Sequence, residues 1–188
     1  MHNSRTRYVA QAGMIAAVYA AASLVVLLIL QGLAWGPIQF RISECVCVLS
    51  VFTPAAIPGL TVGCALANLI ALVFNGTGAL GLFDVVFGSL ATCLGALWCW
   101  KLRKHPKLAL LGPVLANAVI VPAYLPLLVQ GLGYYTIPFT SIALDGLYGA
   151  MYLFGLLATG IGEALIMYVL GLPLLYALKR ANAIKQPI

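Results

Sequence analysis

Long apolar runs interrupted by three short basic islands dominate the chain. Residues 8–40, 45–83, 85–100 and 108–144 carry no charged side chain. Several of these runs exceed the ~20 residues that a helix needs to cross a bilayer. Nine of the ten Lys and Arg fall in three short clusters outside the runs, Arg5/Arg7, Lys101/Arg103/Lys104/Lys107 and Lys179/Arg180/Lys185. Lys and Arg in short loops stay cytoplasmic, so all three islands belong on one side and an even number of spans separates each from the next. The pattern predicts spans at about 8–31, 43–56, 57–74 and 80–100 before the second island, and about 108–130 and 151–178 before the third. The expectation is an all-α integral membrane protein: one domain over residues 1–188, six helices, both termini cytoplasmic.

The second and third spans are short for a hydrocarbon core of about 30 Å at 1.5 Å per residue. They meet at Thr53-Pro-Ala-Ala-Ile-Pro-Gly59, whose prolines and glycine interrupt a helix. A single kinked span over 43–74 would make the count odd and split the basic islands, so the charge rule decides for two. Residues 32–42, 75–79 and 131–150 then fall outside. The first and last are rich in Gly, Pro and aromatics (Trp35, Pro37, Phe40; Tyr134, Tyr135, Pro138, Phe139). That composition fits lids over an outward-facing cavity and interfacial aromatic belts equally well.

Composition narrows the class further. At 63% hydrophobic and 7% charged residues, no soluble domain of useful size fits between the spans. The formal charge of +6 would suggest nucleic acid in a soluble protein, but here membrane orientation accounts for it and no nucleic-acid partner is expected. The first apolar run is too long for the ~7–15-residue core of a cleaved signal. Cys45, Cys47, Cys64, Cys93 and Cys99 all fall in apolar runs, with no histidine nearby, and read as small packing residues rather than metal ligands.

The candidate chemistry lies in the few polar groups at membrane depth. Glu44, Asp84, Asp145 and Glu163 are all the acidic residues of the chain, and each sits inside or at the edge of an apolar run. A carboxylate at a helix centre costs roughly 2.5–3.5 kcal/mol on insertion scales, which makes such residues markers of a ligand path. With Asn68 and Asn117, the spans carry Glu44, Asp84 and Glu163 at mid-depth or in the outer half. Convergent amides and carboxylates in an apolar bundle describe a pocket for a small polar molecule. Plain interhelical hydrogen bonds describe them too, above all for Asn68 and Asn117. Gly160 and Gly162 leave room beside Glu163. Arg41 stands three residues from Glu44, a helical spacing that allows an ion pair, and it either neutralises Glu44 or contacts the ligand. Phe40 and Arg41 complete the candidate substrate contacts. On the first span, Ala12, Ala16 and Ala20 recur every four residues, with Gly13, Ala17 and Ala21 beside them, a stripe that lets another helix approach closely.

Absences point the same way. There is no Gly-x-x-x-x-Gly-Lys loop for ATP, no nucleophile–base or metal-ligand set at membrane depth, and no internal repeat. A non-enzymatic binding protein that borrows energy from partners fits best. A self-sufficient proton-coupled carrier using Glu163 or Asp84 stays open.

Gly36-Pro-Ile-Gln-Phe-Arg-Ile-Ser-Glu44 and Thr53-Pro-Ala-Ala-Ile-Pro-Gly-Leu60 resemble the QueT family. So do Val62–Asn68, Phe83–Thr92 and Gly160–Pro173. These proteins are substrate-binding S components of energy-coupling-factor importers. The resemblance implies a six-helix subunit in a bacterial plasma membrane that captures a queuosine precursor, such as 7-aminomethyl-7-deazaguanine or queuine. It also implies a transmembrane coupling subunit and two ATPase subunits that use ATP, with no cofactor in this chain. In that setting Ala12 and Ala16 resemble the Ala-x-x-x-Ala motif that docks on the coupling subunit.

Overall fold

A computed structural model describes residues 2–29, 41–76, 78–131 and 148–181, all of them helices and short connections. Six helical elements follow in order. They are α1 (His2–Ile29), α2 (Ile42–Val51), α3 (Ala56–Asn75), α4 (Gly78–Lys101), α5 (Leu111–Gly131, entered through the turn Pro106–Ala109) and α6 (Tyr148–Arg180). Among the described residues five helices are long and apolar enough to cross a membrane, and α2 is a shorter apolar helix. The architecture is an all-helical membrane bundle.

The second expected span needs correction. Its helix covers ten residues, not the fourteen from 43 to 56, and it is wound as a 3₁₀ helix. At ~2.0 Å per residue this segment reaches about 20 Å, short of the hydrocarbon thickness. Runs of 3₁₀ this long are uncommon because the bonds are poorer than in an α-helix. Burial on nearly every side compensates: Ser43, Glu44, Val46, Cys47, Val48, Ser50 and Val51 are all enclosed. Three residues per turn put Glu44, Cys47 and Ser50 in one row. The row lies inside the main apolar cluster, whose fully buried members include Val48, Phe52, Leu60, Leu110, Met167 and Leu175.

The turn from α2 to α3 follows from its prolines. Pro54 and Pro58 lack donors, and Pro58 sits in the first turn of α3, where none is needed. Thr53 Oγ1 accepts the Ala55 N–H at 3.3 Å, and the Thr53 carbonyl accepts the Ala56 N–H at 3.2 Å. From there α3 runs parallel to α1 at close range. A Cβ on Gly59 would stand 2.7 Å from the Ala12 carbonyl oxygen, and one on Gly63 would stand 2.8 Å from that of Ala16. Glycine is what allows the two backbones to meet.

The hairpins set which ends coincide. Tyr8 reaches the Pro54 carbonyl, and Trp98 Nε1 donates to Leu108 O at 3.0 Å. Tyr152 and Tyr168 donate to Val119 O and Lys107 O at 3.2 and 2.8 Å, which fixes α5 and α6 as antiparallel neighbours. The start of α1, the segment Lys101–Lys107 and the end of α6 therefore gather at one end of the bundle. Two π-helical turns interrupt the long helices, at Asp84–Gly88 in α4 and Ile166–Gly171 in α6. Such wide turns recur at functional positions. Residues Leu153, Leu157, Ile161 and Leu165 form the exposed face of α6, while Ala158, Thr159, Gly162 and Glu163 face inward.

Candidate functional site

The buried polar residues fall into three groups that differ in how far their hydrogen-bonding capacity is used. Glu44 heads the first. It is fully enclosed and accepts from three helices: Tyr19 OH of α1 and Thr92 Oγ1 of α4 on Oε1, the latter at 3.1 Å, and Cys47 Sγ of α2 on Oε2 at 3.0 Å. Thr92 has one hydroxyl hydrogen and two further neighbours, the Gly88 carbonyl at 3.2 Å and Cys64 Sγ at 3.4 Å. A second α1–α2 bond, Ser23 Oγ to Ser43 Oγ at 2.7 Å, lies close in sequence. Glu44 is thus a junction of α1, α2 and α4, supplied by neutral donors.

Arg41, Asn68 and Asp84 form the second group. Arg41 Nη2 lies 3.6 Å from Asp84 Oδ1 and 3.4 Å from Asn68 Oδ1. Asn68 Nδ2 donates to the Asp84 carbonyl at 2.7 Å, and Tyr124 OH donates to Asp84 Oδ1 at 2.7 Å. A Cβ on Gly88, within the π-helical turn, would fall 2.9 Å from Asn68 Nδ2 and 3.4 Å from Arg41 Nη1. Phe83, Phe87 and Tyr124 stack on one another beside it, with centroids 5.9–6.3 Å apart. The expected Arg41–Glu44 ion pair is corrected to Arg41–Asp84. The reason is local: Arg41 caps α2 with non-helical dihedrals (φ −83°, ψ 81°), so the three-residue spacing no longer places it on the Glu44 row.

The third group is different. Asn117 on α5, and Thr159 and Glu163 one turn apart on α6, are all buried. Both amide atoms of Asn117, Thr159 Oγ1 and Glu163 Oε1 have no hydrogen-bond partner among the described residues. Asn117 is close enough to act on the Glu163 carboxylate, yet neither amide atom reaches full hydrogen-bonding geometry. Glu163 also lies within electrostatic reach of Glu44 and Arg41, so the three groups share one interior region. Ser50 Oγ is a further unpartnered buried atom, on the α2 row. Each unsatisfied buried polar group costs about 1–3 kcal/mol, and such atoms call for an explanation.

The chain matches the family model described as QueT transporter over residues 9–180. It belongs to the QueT transporter family. Among curated proteins and among solved structures there is no significant match. QueT membership and the apolar helices make it a multi-pass membrane transport component with a small-molecule substrate, and QueT being a transporter family agrees with a non-enzymatic role.

The structure places the remaining sequence candidates unevenly for a QueT protein. Phe40 and Asp145 lie outside the described residues. Ala16 is buried under Gly63 of the same chain, Ala12 meets Gly59 through its backbone, and Ala20 is half-buried. In this chain α3 packs against Ala12 and Ala16, the first two residues of the expected docking stripe. Gly13, Ala17 and Ala21 form an exposed strip of small residues on α1. Sequence reasoning missed Tyr19, Thr92, Tyr124 and Thr159. Thr159 had a usable signal, four residues before Glu163 on one helical face; the others pair only through tertiary contacts.

Proposed function

We propose that this QueT protein is the substrate-binding subunit of an ATP-driven import complex. It captures a queuosine precursor from outside the bacterial plasma membrane and hands it to a transmembrane coupling subunit with two ATPases. The observation that carries the reading is the unpartnered set Asn117, Thr159 and Glu163 inside a QueT bundle. A carboxylate accepts two N–H groups of a guanine-like edge, and an amide donates to the neighbouring carbonyl. The Arg41–Asn68–Asp84–Tyr124 network and the Glu44 junction hold the walls of that region in place. For the coupling subunit, the exposed small residues Gly13, Ala17 and Ala21 offer a lipid-facing strip where a partner helix packs closely.

Two measurements test this. Purified chain alone should bind 7-deazaguanines in a scintillation or native mass-spectrometry panel. Uptake into proteoliposomes should require co-reconstituted coupling and ATPase subunits with ATP. Uptake by the chain alone under a proton gradient would overturn the proposal in favour of a self-sufficient carrier.

A further inference from the structure

The acidic and basic groups inside the bundle do not pair off. Among the described residues the interior holds three carboxylates, Glu44, Asp84 and Glu163, and a single guanidinium, Arg41. Arg41 is committed to Asp84 and Asn68. Glu44 has only neutral donors, Tyr19, Cys47 and Thr92. Glu163 Oε1 has no donor, and the like charge of Glu44 lies within electrostatic reach. A buried carboxyl without a charged partner takes up a proton rather than stay ionised, and a bound cation that also donates hydrogen bonds displaces that proton by pairing with the carboxylate.

The unpartnered atoms define what such a cation looks like. Glu163 Oε1, Asn117 Oδ1 and Thr159 Oγ1 are three acceptors from two facing helices. Gly160 approaches Ala118 closely enough that an added Cβ would stand 3.4 Å away, so α5 and α6 are in tight register here. A primary alkylammonium carries three N–H donors for the three acceptors, and a protonated secondary amine carries two. Asn117 Nδ2, an unpartnered amide donor, is left for an acceptor on the ligand's ring.

Resting on the substrate-binding reading above, we infer that Asn117, Thr159 and Glu163 form a charge-reading subsite for an amine-bearing ligand. Thr159 is a specificity-determining residue of it. The subsite selects the cationic member of a pair of otherwise equal ligands. An inorganic monovalent cation presents the same positive charge to the same oxygens, and the test separates the two sources.

Binding of 7-aminomethyl-7-deazaguanine and of its 7-cyano counterpart to the purified full chain reads the inference directly. The two share a ring and differ in charge. The amine should bind about thirtyfold or more tightly than the nitrile, the scale of one lost charged hydrogen-bond partner. This ratio needs no variant. Glu163→Gln should collapse the ratio towards one, and Thr159→Val should weaken the amine while leaving the nitrile within about twofold. Equal binding of both ligands by the native chain overturns the subsite while the deazaguanine reading stands. Equal binding with a sodium or potassium requirement for the nitrile assigns the oxygens to an inorganic cation and also overturns it. An amine preference that survives in Glu163→Gln places the charge reader elsewhere. Binding of neither ligand removes the substrate reading and this inference with it.

Discussion

Glu44 and Glu163 are the same residue type at similar burial, and what separates them is the number of donors aimed at each. Removing the acceptor at Glu44 leaves Tyr19 OH with only the weakly accepting Cys64 thiol nearby, whereas Thr92 can fall back on the Gly88 carbonyl. Glu44→Leu should therefore lower the stability of the ligand-free protein by about 1–3 kcal/mol for the orphaned tyrosine hydroxyl, beyond any change in packing. Tyr19→Phe in the same background should cost nothing further, because the hydroxyl is then absent. Thermal melting in detergent of both single variants and the double variant measures this; additive losses would refute the Tyr19–Glu44 link. Arg41 and Asp84 make a second pair to break. Asp84→Asn alone leaves a half-buried guanidinium without its ion partner, so it should destabilise more than Arg41→Met/Asp84→Asn together. The polar residues themselves were legible in the sequence, since a carboxylate in an apolar run is conspicuous. Their pairings were not. Which carboxylate Arg41 meets depends on where α2 begins, and periodicity cannot place a 3₁₀ start to the residue.

Helix packing decides what α1 can offer to a partner. Two stripes, Ala12/Ala16/Ala20 and Gly13/Ala17/Ala21, each repeat every four residues and look alike in sequence. Gly59 and Gly63, more than forty residues away, select the first for the interior. Gly63→Val would press a side chain into the Ala16 backbone and Tyr19 Cβ, the latter 3.0 Å from an added Cβ. Overpacking of this kind costs about 1–3 kcal/mol, and the variant should show a lower melting temperature and a broadened size-exclusion profile. Ala17→Trp, on the exposed stripe, should leave melting and ligand binding unchanged but reduce recovery of the chain with a co-expressed coupling subunit. Full recovery of that complex would place docking on another face. The five long helices were readable from hydropathy, while α2 was read four residues too long. Its composition is apolar enough for a span, and only burial on all sides lets it stop short.

At the level of the whole bundle, the three basic islands share one end, as far as the described residues reach. The orientation proposed from them predicts that an impermeant maleimide labels Lys104→Cys only after the inner face is opened, and Asn75→Cys in intact cells. The reverse pattern would invert the protein. The buried 3₁₀ helix has a consequence for how the chain is made. As it emerges from the ribosome, Ile42–Val51 is too short to span alone and carries Glu44. One donor for that carboxylate, Tyr19, has already been synthesised, but Thr92 follows forty-eight residues later. Until α4 is complete, α2 has no stable home in lipid and must wait at the translocon or the surface. Stalled nascent chains ending before Thr92 should therefore leave Ile42–Val51 accessible to protease or aqueous label, and chains extended past Lys101 should protect it. Membrane integration of this protein is then a delayed, hairpin-wise event governed by a segment downstream of the one being inserted.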